Sequence, residues 1–323
     1  VGNWSKRPSG RRRKPERRIK MLFKKAERKQ AKLRLGLVGP SGSGKTYSAL
    51  EVAQGIGSKI AVIDTERGSA SLYSHLVDFD VAEMEPPYTI PKYIQYLKAA
   101  EEAGYDVIII DSITHAWAGE GGLLEEVDKR TSANRGNSFT AWRDVTPMHN
   151  RFIDAMLNCK THIIVTMRSK TEYVLETNAA GKQVLKKVGM APIQRDGMDY
   201  EFTVVFDISH DHIATASKDR TSLFDGLAFT PSKKTGLQLR EWLESGEPPR
   251  DYRQEYIDRA NELGFEFEDI HLLAEKTGKK QFNDLPDSTF KLLLDRFASG
   301  DEAVAAAKEF VEKLKEGKKD GVA

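Results

Sequence analysis

The sequence contains very little cysteine: Cys159 is the one cysteine among 323 residues. A lone cysteine excludes a disulfide within the chain and is typical of a reducing compartment, so we expect a cytoplasmic protein. The seven histidines are scattered apart from His210 and His212, and they offer no zinc-ligand spacing. For that pair we favour an ordinary turn over a metal site.

Long apolar runs are also missing. No stretch approaches the roughly 18 consecutive apolar residues that a membrane-spanning helix needs, and apolar residues make up 39% of the chain. The N-terminal segment is basic but has no apolar core of the kind found in signal peptides. We therefore expect no membrane partner.

The net charge of +2 conceals an uneven distribution. Residues 1–34 hold fifteen Lys and Arg against two Glu, whereas the remainder holds 35 basic and 46 acidic residues. A segment this basic binds phosphate backbones without sequence preference. We expect residues 1–30 to form a disordered basic arm. The alternative is that residues 1–20 lie upstream of a native start at Met21.

A glycine-rich segment, GPSGSGKT at residues 39–46, fits the P-loop pattern at every fixed position. An apolar run precedes it and a helix-compatible stretch follows. The glycines let successive backbone N–H groups point at one phosphate, next to a helix N-terminus. The alternative is a glycine-rich turn before a helix. We predict a Mg²⁺-nucleoside triphosphate site in which Lys45 reaches the phosphates and the Thr46 hydroxyl holds the metal. The other predicted nucleotide contacts are Gly39, Ser41, Gly42, Ser43, Gly44 and Tyr47.

Strand and helix patterns alternate along the chain. Apolar runs predict strands at 32–39, 59–64, 79–84, 105–111 and 161–167, with helices at 47–56, 89–104 and 138–158. A break is predicted near Pro147, and 118–137 is predicted as a loop with a short helix. Residues 172–187 predict a β-hairpin, and 202–208 and 213–217 predict antiparallel strands. The predicted fold class is α/β, with a mostly parallel sheet, an antiparallel end and nucleotide at the strand C-termini.

A linker at 244–250 separates this pattern from three predicted amphipathic helices, the first at 252–263 and the last at 301–314. We therefore expect an α/β domain over 31–245 and a small helical domain over 250–316.

Two carboxylates follow predicted strands. Asp111 ends an apolar strand about 65 residues after the P-loop, where an aspartate can hold Mg²⁺. An ordinary polar strand end is the alternative. Glu66 follows the second strand, where a carboxylate can orient or deprotonate an attacking water. For Glu66 and its acidic neighbour, a helix N-cap role is the alternative.

Three segments, Asp64-Thr-Glu66, Ile108-Ile-Ile-Asp111-Ser112 and Ile163-Ile-Val-Thr166, resemble the core of the RecA/RadA recombinase ATPases. The resemblance implies a RecA-like ATPase that uses ATP and Mg²⁺, with Glu66 as the catalytic base and Tyr73 stacked on adenine. Lys218 and Arg220 resemble a Lys-x-Arg finger that such ATPases insert into the neighbouring subunit's site. A shared site of this kind requires a homo-oligomer, either a ring or a filament.

The chain departs from the recombinases at one strand end, where Met167-Arg168 replaces Asn-Gln. Arg168 could still sense phosphate there. The closer resemblance is to short phage-encoded RecA-like ATPases of recombination modules, including single-strand annealing proteins. It is carried by residues 24–35, Trp142-Arg-Asp144 and Met167–Tyr173. For a phage protein the expected location is the host cytoplasm, and a single-strand-binding protein is a candidate partner.

In RecA relatives two loops grip single-stranded DNA, and the corresponding segments here are 117–140 and 169–200. Basic and aromatic side chains in these loops suit backbone neutralisation and base stacking. A solvated hairpin with core tryptophans is the alternative. The candidate residues are Trp117, Lys129, Arg130, Arg135 and Phe139 in the first loop, and Lys170, Tyr173, Lys182, Lys186, Lys187 and Arg195 in the second.

The sequence thus predicts a Mg²⁺-dependent, DNA-stimulated ATPase that acts on single-stranded DNA in phage recombination or repair, by annealing or strand pairing. One alternative is a hexameric DNA helicase of the RecA superfamily. The other is a non-catalytic protein whose assembly is gated by nucleotide.

Overall fold

The computed structural model describes residues 25–134, 136–177, 183–248 and 250–319, with side chains described outside 171–190 and 317–319. The chain divides into two compact units, and the boundary falls between Glu247 and Pro248. Within the described residues, no helix is long and apolar enough to cross a membrane. Of the predicted basic arm, residues 1–24 lie outside the part of the chain that the structure describes.

A nine-stranded sheet forms the centre of the first unit, in the order β3-β2-β4-β5-β1-β7-β8-β9, with β6 paired to β5. Strands β1 to β5 and β7 pair in parallel, whereas β6, β8 and β9 are antiparallel to their neighbours. The predicted fold class is confirmed. The strands are β1 (Arg34–Gly39), β2 (Ile60–Asp64), β3 (Asp80–Glu83), β4 (Val107–Asp111), β5 (His162–Thr177), β6 (Gln183–Pro192), β7 (Val204–Ile208), β8 (Ala214–Asp219) and β9 (Ala228–Phe229).

Helices cover both faces of this sheet, because its central strands are apolar on both sides. In β4, Val107 and Ile109 pack in one apolar cluster with the first and last helices of the unit. Ile108 and Ile110 pack in the other cluster, with the second and fifth helices. The helices are α1 (Lys45–Ile56), α2 (Ile90–Glu102), α3 (Thr114–Ala118), α4 (Leu123–Ala133), α5 (Ser138–Asn158) and α6 (Lys233–Glu244).

Glycines set the approach of α1 to α6. A β-carbon at Gly236 would lie 2.1 Å from the carbonyl oxygen of Val52, and one at Gly55 would lie 2.2 Å from that of Lys233. Real β-carbons do not come this close to backbone atoms, so only glycine permits the crossing. The P-loop helix α1 is therefore fixed on its outer side by a late helix.

The strand register brings the carboxyl ends of β1, β2 and β4 to one edge of the sheet, beside the point where β5 continues past them. Gly39 pairs with Arg168, and Asp64 pairs with Asp111. Ligand sites of open α/β sheets lie at this edge. The P-loop and the segment after β2 leave the sheet there, beside Asp111 and Arg168.

Several sequence predictions are wrong in detail. Helix α5 runs through Pro147 without a break, because Val145, His149 and Phe152 anchor its buried face on both sides of the proline. Strand β5 is one strand of 16 residues, where a short strand and a separate hairpin strand were predicted. Helix α6 and strand β9 were not predicted.

The second unit has its own apolar core. It is built around Tyr256, Phe290 and Phe297, and the Tyr256 hydroxyl donates a hydrogen bond of 2.8 Å to the carbonyl of Ile270. The described residues of this unit form four helices instead of the predicted three, because Pro286 starts a separate helix. They are α7 (Tyr252–Glu262), α8 (Phe267–Gly278), α9 (Asp287–Phe297) and α10 (Asp301–Lys319).

Candidate functional site

The P-loop has the backbone shape of a phosphate cradle. Gly42 and Gly44 adopt left-handed backbone angles, φ 77° and 83°, which favour glycine. A β-carbon at Gly39 would lie 2.6 Å from the carbonyl oxygen of Ile208, so the loop also needs glycine where it meets β7. Helix α1 begins at Lys45, and its free N–H groups add a favourable partial charge for an anion. The loop therefore fits a nucleotide phosphate.

Behind this loop, Lys45 lies together with the side-chain oxygens of Thr46 and Asp111. The Lys45 Nζ donates to the carbonyl of Pro40 at 2.7 Å, and burial lowers its pKa although Asp111 and Glu66 oppose this. The Thr46 hydroxyl donates to Asp111 Oδ2 at 2.5 Å. Thr166 donates to the other Asp111 oxygen, and burial raises the pKa of this carboxyl. A hydroxyl and a carboxylate in contact are oxygen ligands suited to Mg²⁺.

The segment after β2 holds Glu66 at the mouth of the same cleft. Both carboxylate oxygens of the buried Asp64 accept backbone N–H groups, from Glu66 at 2.5 Å and from Ala70 at 3.0 Å. The turn continues through Arg67 and Gly68, which both have positive φ. Asp64 thus accepts the N–H of the first residue of the short helix Ala70–Tyr73, which meets the N-cap alternative for this acidic pair in part, whereas the Glu66 carboxylate contacts other side chains.

Glu66 makes a bidentate ion pair with Arg168. The guanidinium Nε donates to Glu66 Oε1 at 2.9 Å, and Nη2 donates to Oε2. The Ser112 hydroxyl donates to Oε1 at 3.0 Å. Burial raises the pKa of Glu66, but the Arg168 and Ser112 contacts outweigh it, so the pKa is below its ordinary value. Both oxygens of the predicted base are engaged in this arrangement.

His115 lies next to this ion pair and was not predicted. Its Nδ1 is 2.7 Å from the Thr65 hydroxyl, and its ring stacks on Tyr88 at 4.8 Å between centroids. Burial lowers the pKa of His115, and the charge of Arg168 acts in the same direction while Glu66 opposes it. Both effects favour the neutral form of this imidazole, which lies behind the Glu66 turn.

A cleft of about 390 Å³ joins these groups. It also reaches Tyr73, whose ring packs edge-on against Tyr47 with centroids 6.1 Å apart. Tyr47 is 39% exposed, so the aromatic pair is open to a ligand. The lining residues are Ser41, Gly42, Gly44, Lys45, Thr46, Glu66, Ser69, Tyr73, Asp111 and Arg168.

Lys218 and Arg220 lie elsewhere. Asp219 pairs with Val204, and Val204 pairs with Leu35 at the amino end of β1, about 13 Å from the P-loop along the strands. Lys218 donates to the carbonyls of Asp199 and Tyr200, and Arg220 donates to that of Tyr200. Within one chain the pair does not reach the cleft, so its predicted role depends on a neighbouring subunit.

The predicted DNA loops are partly described. Trp117 and Trp142 pack with centroids 5.8 Å apart, and the Arg195 guanidinium lies 6.0 Å over the Trp142 ring. Phe139 is 84% exposed, and Lys129 and Arg130 pair with glutamates one helical turn away. Arg135 and the side chains of Tyr173, Lys182, Lys186 and Lys187 lie outside the described residues.

A sequence profile of a family described as an AAA domain matches residues 31–235, well over half of the chain. The chain belongs to the AAA domain family. The AAA domain includes β1 to β9 and every residue of the cleft. Among curated proteins no match is found. A solved structure with similarity to the chain is the crystal structure of a RadB recombinase, at 16% identity and a TM-score of 0.37, covering 68% of this chain and 93% of that one.

Sequence reasoning missed four residues at the AAA domain's cleft. Ser112 contacts Glu66, His115 contacts Thr65, and Thr166 contacts Asp111. The first two follow β4 closely, and Thr166 lies in β5 next to β4, so all three are near segments that the motifs already located. His212 contacts the P-loop from a distant turn, and no sequence signal connects the two. In the described part of the chain, no group of three or more His, Cys, Asp or Glu side chains could hold a metal, so the His210–His212 segment gains no support as a metal site.

Proposed function

We propose that the chain is a Mg²⁺-dependent ATPase that assembles as a ring or filament and acts on single-stranded DNA in phage recombination or repair, by annealing or strand pairing. One observation supports the chemistry most directly. The cleft places a P-loop lysine, a hydroxyl–carboxylate pair and a separate glutamate together, although these groups come from three segments of the chain. This combination serves phosphoryl transfer to water.

Each side chain then has a defined task. Lys45 and the P-loop N–H groups bind the β- and γ-phosphates. Thr46 and Asp111 would hold Mg²⁺, which neutralises charge on the phosphates when bound. Glu66 orients the attacking water and accepts its proton. Tyr73 stacks on adenine.

Glu66 can act as the base only after its ion pair with Arg168 opens, because a carboxylate with both oxygens hydrogen-bonded is a weak base. Arg168 lies within β5, at the last residue that pairs with β1, and its side chain lines the cleft, so the γ-phosphate can compete with Glu66 for its guanidinium. We infer that phosphate binding draws Arg168 away and frees Glu66.

The action on DNA rests on the sequence resemblance together with the exposed aromatic ring of Phe139 in the first predicted loop and the basic side chain of Arg195 in the second. Aromatic rings and guanidinium groups are what single-stranded DNA binding uses. The shared site rests on Lys218 and Arg220, which need a second subunit to meet a phosphate.

The Glu66–Arg168 ion pair also favours a second candidate, a protein whose assembly is gated by nucleotide without hydrolysis. If the pair stays closed when nucleotide is bound, no carboxylate is available to activate water. Binding would then change only the state of assembly.

ATP turnover by the full chain, measured with and without single-stranded DNA, separates these functions. The ATPase proposal expects phosphate release that DNA stimulates and that Lys45→Ala abolishes. Sizing with a slowly hydrolysed ATP analogue should show a larger assembly than the nucleotide-free chain. Nucleotide-dependent assembly without phosphate release in either condition would contradict the ATPase and support the gated protein.

A further inference from the structure

The turn between β7 and β8 touches the P-loop through His212. The ring Nδ1 of His212 lies 3.0 Å from the carbonyl oxygen of Ser43. A carbonyl can only accept a hydrogen bond, so Nδ1 must carry the proton in this contact. The same atom would lie 3.0 Å from a β-carbon at Gly44, so the ring sits directly against the glycine backbone.

The turn that presents His212 is itself held in place. The backbone N–H of His212 donates to the carbonyl of Ser209 at 3.1 Å, and the N–H of Ser209 donates to that of Ile213 at 2.9 Å. His212 has φ 62°, a left-handed angle that histidine adopts more readily than most residues. The residue before Ser209 is Ile208, and its carbonyl oxygen lies against Gly39. The turn therefore meets the P-loop at both of its ends.

The contact has a consequence for phosphate binding. The Ser43 carbonyl and the Gly44 N–H belong to one planar peptide unit, in which the two bonds point in opposite directions. A hydrogen bond that draws the carbonyl toward the β7–β8 turn therefore directs the Gly44 N–H away from the turn. Gly44 lines the nucleotide cleft.

We propose that His212 is a positioning residue that fixes the Ser43–Gly44 peptide, so that the Gly44 N–H is preset to bind nucleotide phosphate. This role rests on the proposed function, since it needs a nucleotide in the cleft. His212 reaches the phosphate only through this peptide, so its removal weakens nucleotide binding and leaves the hydrolysis step in place.

Two substitutions separate the hydrogen bond from the shape of the turn. His212→Gly removes the ring and tolerates the positive φ. His212→Asn also tolerates that angle and can place an amide N–H at the position of Nδ1. His210→Gly is the matched control, because His210 lies in the same exposed turn and makes no described side-chain contact with the P-loop.

The experiment measures the affinity of the full chain for a fluorescent ATP analogue with Mg²⁺, together with KM and kcat for ATP. We expect His212→Gly to weaken binding and raise KM by about 2- to 10-fold, the effect of one hydrogen bond. The kcat should stay within about twofold, as for a loss of uniform binding. His212→Asn should recover most of the affinity, and His210→Gly should match the wild type.

Tight binding by His212→Gly, or an Asn variant no better than the Gly variant, would overturn the role of His212 while leaving the proposed function intact. Absence of nucleotide binding by the wild-type chain would overturn the proposed function, and the role of His212 with it. Thermal melting of the nucleotide-free variants accompanies the series. A loss of affinity matched by a large drop in Tm would assign His212 to folding and overturn the positioning role.

Discussion

Glu66 and Arg168 are 102 residues apart in the sequence and meet as a bidentate ion pair. Each was predicted to act at the cleft, but their pairing was not, because contacts between side chains of distant segments depend on rotamers that a linear sequence does not encode. The ion pair engages both oxygens of the proposed base. In the proposed mechanism, hydrolysis therefore depends on what displaces Arg168.

Replacement of Arg168 tests its role at the phosphate. We expect Arg168→Ala to lower kcat by at least about tenfold with a small change in affinity, since a charge that stabilises the transition state is lost. Ser112→Ala is the matched control: it removes another hydrogen bond to Glu66 but no charge, and should change kcat by less than about threefold. Steady-state kinetics measures both. Faster turnover by Arg168→Ala would mean that Arg168 only restrains Glu66.

Among the elements, those with strong apolar runs were predicted well. Strands β1, β2 and β4 were located because strands buried on both faces are almost wholly apolar, and α2 because its apolar residues follow the helical period. The register of these strands then explains why the P-loop, Asp111 and Glu66 converge. These parts of the candidate site could be derived from the sequence.

Helix α6 was missed although a signal was present. Ser232 and Thr235 form a capping box, and Leu239 and Leu243 are spaced for one buried helical face. The glycine at 236 lowers the helical propensity and hides this pattern. The need for glycine at position 236 is evident only in the packed structure, where α6 crosses α1 closely. The contact of the β7–β8 turn with the P-loop is likewise tertiary, and no local sequence pattern predicts it.

The close crossing of α1 and α6 implies that a larger residue at position 236 destabilises the first unit. Gly236→Ala places a methyl group where only 2.1 Å separates it from the Val52 carbonyl oxygen, so the helices must move apart. We expect a loss of about 1–3 kcal/mol, typical of overpacking, which lowers Tm by roughly 2–12 °C at about 2–4 °C per kcal/mol for a unit of this size. Gln238→Ala, at an exposed position of the same helix, is the control and should shift Tm little. An unchanged Tm for Gly236→Ala would contradict the tight crossing.

For the molecule as a whole, the structure describes two units with separate apolar cores, and the cleft lies entirely in the first. Lys218 and Arg220 also belong to that unit but lie at the opposite edge of its sheet. A complete site therefore requires a second copy of the chain, if the finger acts as proposed.

Subunit mixing tests this dependence. Glu66→Gln has an inactive cleft with an intact finger, and the double variant Lys218→Ala/Arg220→Ala has an intact cleft without a finger. Each alone should be inactive, because one component of every site is lost. Their mixture should regain part of the wild-type ATPase rate, since some interfaces pair an intact cleft with an intact finger. The control mixes Glu66→Gln with Lys45→Ala, both defective in the cleft, and should stay inactive. If the mixture of Glu66→Gln with the double variant shows no ATPase activity, the finger does not act between subunits.

We propose that the P-loop cleft hydrolyses ATP with Glu66 as the base. Phosphate release and nucleotide affinity, measured on the wild-type chain and on Glu66→Gln under the same conditions, test it most directly. We expect Glu66→Gln to bind MgATP about as tightly as the wild type and to turn it over at least about 100-fold more slowly, the usual contribution of a general base. Turnover by Glu66→Gln at the wild-type rate would contradict it.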